Sequence, residues 1–181
     1  MESSEESLKV FPYEFAINFI VTLSDAGALI TRMEVVNNGT SVMPFTCALH
    51  TYFATPDVSQ VSIEGLMGTE YLDYMQDRKQ MSQTENAVGF AKEVDCIYMD
   101  TPDTLKLHCS PTRTILLKKT GLPDAVVWNP WIAKAQAMGD FGDDEYKTMF
   151  CVEAALAKGS GAPVQLGGGM QWACEQELSV A

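Results

Sequence analysis

YEFAINFIVTL, residues 13–23, decides the fold class. Tyr13, Phe15, Ile17, Phe19, Val21 and Leu23 recur at every second position, with Glu14, Asn18 and Thr22 among the residues between them. Successive side chains of an extended chain point to opposite sides, so a period of two puts the apolar set on one face of a β-strand. Asp25-Ala26-Gly27 reads as a turn, and Leu29 to Val36 as a second strand with Arg32 and Glu34 on one face. Asn37-Asn38-Gly39 is a hairpin or turn signal.

The pattern repeats along the chain. Strands are expected over Phe45–Phe53, Val61–Ile63, Ile97–Met99, Thr104–His108, Thr114–Lys118, Ala125–Trp128, Met149–Ala155 and Trp172–Val180. Residues 72–86 are polar and read as a long surface loop, and Trp131 to Met138 as one or two helical turns. DFGDDE (140–145) reads as an acidic loop, and residues 159–169 are rich in glycine. Many short strands with turns between them point to an all-β fold, a β-sandwich rather than βαβ units. Residues 1–11 read as an acidic leader without fixed structure, and residues 12–181 as one domain.

The charge balance narrows the function classes. The net charge is −12, and an acidic chain repels phosphate backbones and anionic lipid, so neither nucleic acid nor a membrane is an expected partner. No run of 18 apolar residues is present to span a membrane. Five cysteines without short paired spacing do not make a disulfide framework, and no C-x-x-C supports a zinc site. Free thiols fit a reducing compartment, so a cytoplasmic location is expected. MESSEES lacks the basic start and apolar core of a signal peptide. Oligomeric state is not legible.

Few side chains here exchange protons near neutral pH. His50 lies in Ala-Leu-His-Thr-Tyr-Phe, and its segment alone reads as a core histidine with satisfied hydrogen bonds or as an acid–base group. Glu153 lies in Met-Phe-Cys-Val-Glu-Ala-Ala, where a carboxylate is costly unless it is paired, hydrogen-bonded, exposed or lining a cavity. Asp95 is a weaker case of the same kind, since a strand-edge aspartate is common. The tryptophans of Trp128-Asn129-Pro130-Trp131 are core material, or a face on which a sugar stacks. DFGDDE lacks the ligand spacing of a calcium loop, and no helix start follows Gly167-Gly168-Gly169 to make a phosphate cradle.

Taken together, Pro44-Phe45 with ALHTYF (48–53), Ile63-Glu64-Gly65-Leu66 with Tyr71-Leu72-Asp73, Val94-Asp95 with Tyr98, VVWNPW (126–131), Lys134, Met138, DFGDDEY (140–146) and MFCVEAA (149–155) resemble the glucose-6-phosphate 1-epimerase family. That family is a branch of the aldose 1-epimerase superfamily, and the resemblance runs from about Pro12 to Val180. It implies a galactose mutarotase-like antiparallel β-supersandwich that interconverts the anomers of hexose 6-phosphates without a cofactor. It implies Glu153 as the base that takes the C1 hydroxyl proton and His50 as the acid at the ring oxygen, with Asp95, Trp128 and Asn129 binding the substrate and no metal. Members of the family carry further strands before the matched region, with basic residues that hold the 6-phosphate near a segment resembling H-G-F-A-R. This chain has no such segment, so the expectation is an N-terminally truncated sandwich without the phosphate site. Cys96, where arginine is frequent, and Gly168, where proline is frequent, are smaller departures. Two alternatives follow: a family member that binds carbohydrate with little or no catalysis, or an aldose 1-epimerase acting on unphosphorylated sugar.

Overall fold

The computed structural model describes residues 1–157 and 163–181. Part of the glycine-rich stretch 159–169 therefore lies outside the described residues. Two antiparallel sheets account for most of the chain. The first runs, in spatial order, β1 (Phe15–Leu23), β2 (Leu29–Asn37), β16 (Gln171–Val180), β12 (Arg113–Thr120), β11 (Thr104–Ser110), β6 (Ser62–Glu64) and β9 (Ala87–Gly89). The second runs β4 (Cys47–Leu49), β14 (Met149–Leu156), β13 (Asp124–Asn129), β10 (Val94–Tyr98), β7 (Glu70–Asp73) and β8 (Lys79–Ser82), with β5 (Tyr52–Ala54) also paired to β14. A small ribbon joins β3 (Met43–Phe45) to β15 (Val164–Leu166).

The main core lies between the two sheets. Leu105, Leu107 and Leu117 from the first meet Val127, Phe150, Val152 and Ala154 from the second, all of them buried. Burial of these branched and aromatic side chains drives the sheets together at about 1.5–3 kcal/mol per large residue. Lys119 is an unusual member, 1% exposed. Its ammonium donates to the carbonyls of Thr101, Leu122 and Pro123, so the buried charge has hydrogen-bond partners.

Three expectations need correction. The leader carries a helix, α1 (Glu5–Val10), because Ser4 and Ser7 cap its start reciprocally and Glu5 and Glu6 suit its positive end. The loop expected over 72–86 contains a hairpin instead: β7 pairs β8, and Asp77 and Arg78 take the left-handed backbone that the turn requires. Phe45–Phe53 is not one strand. Phe45 ends β3 in the small ribbon, and the remainder divides into β4 and β5, which flank His50 and Thr51.

The apolar face of β1 is only partly covered. Phe15 is buried, whereas Phe19, Val21 and Leu23 are 57%, 59% and 74% exposed. β1 is the edge strand of the first sheet: β2 pairs with it along its length, and among the described residues Met1 to Ser3 bridge its other side only between Phe15 and Ile17.

Candidate active site

Strand register assembles the site on the outer face of the second sheet. Asp95 on β10 pairs with Trp128 on β13, Trp128 with Cys151 on β14, and Cys151 with Tyr52 on β5. These residues form one row across four strands. The neighbouring row holds Ile97, Val126 and Glu153. Because a strand alternates, Val127, Val152 and Ala154 point the other way into the core.

His50 completes the second row from the break between β4 and β5. Leu49 pairs with Ala154 and Tyr52 with Cys151, so His50 falls beside Glu153. The Thr51 N–H donates to the Leu49 carbonyl at 2.9 Å, a tight turn centred on His50. Gln176, buried on β16 of the opposite sheet, reaches through the core and donates to the Thr51 hydroxyl at 2.9 Å. The break is thus tied to both sheets.

His50 Nδ1 stands 3.3 Å from Glu153 Oε1. The two side chains differ sharply in exposure, 51% for His50 and 8% for Glu153. Burial, with the like charge of Asp95 second, pushes the Glu153 carboxyl up to about 7. Tyr52 stacks on the imidazole at 4.8 Å and 7°, and the Trp128 ring meets His50 edge-on at 5.9 Å. Lys134 on α2 (Trp131–Ala137) supplies a cation, with Nζ 3.4 Å from Asp95, 3.6 Å from Glu93 and 5.8 Å from the Trp128 ring centre. A cavity of about 390 Å³ opens beside Tyr52, bounded by Met138, Asp140, Phe141 and Met149. Phe141 of the acidic loop also packs with the Trp128, Met149 and Cys151 cluster, so that loop is not wholly solvated.

The structure brings His50, Glu153, Asp95 and Trp128 together. Asn129 stands apart from them. It is wholly buried, with Nδ2 donating to the Tyr146 and Met149 carbonyls and Oδ1 accepting from the Trp131 N–H. Both ends of its amide are used by backbone, so it holds the turn into α2 rather than a substrate. Trp131 enters that helix at φ 56°, in the left-handed region. The other histidine, His108, lies on the first sheet against Glu64 and Thr114.

Tyr52 and Cys151 belong to the site but were not singled out in the sequence. Each stands two positions from a chosen residue, Tyr52 from His50 and Cys151 from Glu153. The period-two rule that found the strands also places them on the same face. The surface can give and take protons beside an aromatic wall, with hydrogen-bonding carboxylates around it, which suits a polyhydroxylated ring.

Known proteins resemble the chain in sequence and in fold. The family model described as "Aldose 1-epimerase" matches residues 1–179. A protein named "Putative glucose-6-phosphate 1-epimerase" from Cenchrus ciliaris is 39% identical over 175 residues, covering 95% of this chain and 52% of that protein. Its namesake from Escherichia coli K12 is 32% identical over 158 residues, covering 87% and 51%. Among solved structures, a "putative mutarotase (YeaD)" from Salmonella typhimurium superposes with a TM-score of 0.85 at 29% identity, covering 100% of this chain and 58% of that one. A galactose mutarotase related enzyme from Lactobacillus acidophilus shares the fold, with a TM-score of 0.78 at 14% identity, covering 100% and 66%. The chain spans about half the length of the curated relatives it matches.

Proposed function

The chain belongs to the aldose 1-epimerase family, and from that premise we propose that it interconverts the α and β anomers of hexose 6-phosphates by acid–base ring opening and closure. The observation that carries the proposal is the approach of His50 to Glu153 at 3.3 Å on a face walled by Tyr52 and Trp128. Glu153 takes the proton of the C1 hydroxyl while His50 protonates the ring oxygen. The C1–ring-oxygen bond breaks, an open aldehyde forms, and rotation about the C1–C2 bond presents its other face. Closure reverses both proton transfers. A base with a pKa of about 7 is matched to this work, because it is substantially ionised near neutrality yet still holds a proton well. Asp95, with Lys134 beside it, hydrogen-bonds the sugar hydroxyls and fixes the ring between the pair. Positioned acid–base catalysis supplies roughly 10²–10⁴-fold, enough for a reaction that already proceeds slowly in water.

The experiment is NMR exchange spectroscopy on a fresh single anomer of glucose 6-phosphate. Acceleration over buffer is expected, and its loss in Glu153→Gln and His50→Asn. An unaccelerated exchange rejects the proposal.

One observation favours a second reading, turnover of unphosphorylated aldoses. Lys134 already faces two carboxylates, Asp95 and Glu93, which weakens its pull on a phosphate. Rates on glucose and on glucose 6-phosphate, compared at equal concentration, separate the readings.

A further inference from the structure

We propose that His50, Cys151 and Glu153 form a three-ligand site for a divalent cation of the zinc class. One ligand atom from each residue lies within 4.8 Å of the other two, and His50 Nδ1 stands 3.3 Å from Glu153 Oε1. Ligand atoms around tetrahedral zinc stand about 3.2–3.8 Å apart, so closure needs side-chain movement of about 1 Å. Imidazole, thiolate and carboxylate are the ligand types that zinc accepts, and three protein ligands leave a fourth position open at the exposed, His50 side.

Charge supports the same assignment. Cys151 is fully buried and Glu153 nearly so. A divalent cation deprotonates a thiol that it binds. Thiolate and carboxylate together then cancel its two charges, leaving a neutral unit against the floor of the site. The soft sulfur selects zinc, cobalt or cadmium over magnesium and calcium. Sequence spacing conceals the set, because Cys151 and Glu153 come from β14 as Cys-x-Glu and His50 from a distant break between strands. The cation takes the lone pairs that the acid–base pair needs, so it competes with the sugar. That last consequence alone rests on the proposed function.

Titrating the whole chain with Co²⁺ and no sugar present tests the site directly. One equivalent is expected to give a thiolate-to-cobalt charge-transfer band and strong four-coordinate visible bands, bleached by Zn²⁺ and untouched by Mg²⁺. Losing even an outer-shell partner costs about 10–100-fold in metal affinity, so Cys151→Ser is expected to abolish the band and weaken Zn²⁺ by at least about 100-fold. Cys47→Ser, which alters a thiol outside the set, keeps both. Glu153→Gln keeps the thiolate band but weakens Zn²⁺ by at least about tenfold, an arm independent of how Cys151→Ser folds. Absence of the band in the unmodified chain, or a Zn²⁺ affinity unmoved by Cys151→Ser or Glu153→Gln, overturns the proposal. A chain that binds Co²⁺ this way but leaves anomer exchange unaccelerated removes the proposed function and leaves the metal site standing.

Discussion

Glu153 carries opposite consequences for stability and for activity. Its pKa rises from 4.5 to about 7 on folding, chiefly through burial. Between those values the folded chain holds a proton that the unfolded chain has released, so stability falls as pH rises through this window. Glu153→Gln removes the buried charge. It is expected to raise stability by on the order of 1–3 kcal/mol at about pH 8, with little change near pH 4, as read by thermal melts at both values. On its acidic limb the proposed turnover runs the other way, rising towards about pH 7 as the base ionises. Asn129 makes a contrasting case. Asn129→Ala deprives two backbone carbonyls of their donor and the Trp131 N–H of its acceptor, and is expected to cost about 2–4 kcal/mol in denaturant unfolding. In VVWNPW the residue type alone could not say whether that amide faces sugar or backbone. Asparagine serves both, and only the positions of Tyr146 and Met149 decide.

At the scale of elements, the break between β4 and β5 matters most. An unbroken strand over Phe45–Phe53 was the natural reading of an apolar run, and it fails where the chain turns at His50. Local periodicity cannot reveal the break, because one of its anchors, Gln176, comes from β16 in the opposite sheet. Gln176→Leu keeps the volume and removes that anchor. The expected result is a stability loss of about 1 kcal/mol. Misplacing a catalytic group by about 1 Å can cost 10²-fold, so the kcat of the proposed turnover is expected to fall by about 10–100-fold with KM nearly unchanged. Steady-state kinetics with a melt of the same variant check both. The β7–β8 hairpin escaped the sequence for another reason. Its strands have only four residues each, β8 is polar and mostly exposed at the sheet edge, and the turn between them lacks glycine.

For the whole molecule, the uncovered face of β1 is the dominant feature. Phe19, Val21 and Leu23 lie exposed along an edge strand whose outer backbone groups, beyond the contacts of Met1 and Ser3 with Phe15 and Ile17, face no other strand among the described residues. Concentration-dependent association is expected in sedimentation velocity, and Phe19→Lys with Val21→Lys is expected to suppress it, since edge lysines oppose strand-to-strand pairing. The same strand shows what sequence determines by itself. Alternation over residues 13–23 established a strand and its apolar face, because side-chain direction along extended backbone is a local property. The all-β class followed from many such segments, and the pairing of His50 with Glu153 from a resemblance of motifs rather than from any local rule. Tertiary structure alone decided that the apolar face is covered at Phe15 and bare beyond Ile17. It also decided that Asn129 turns inward and that Cys151 lies beside His50 and Glu153. Those outcomes depend on which strands lie opposite one another and in what register, and no segment of the chain encodes its own neighbours.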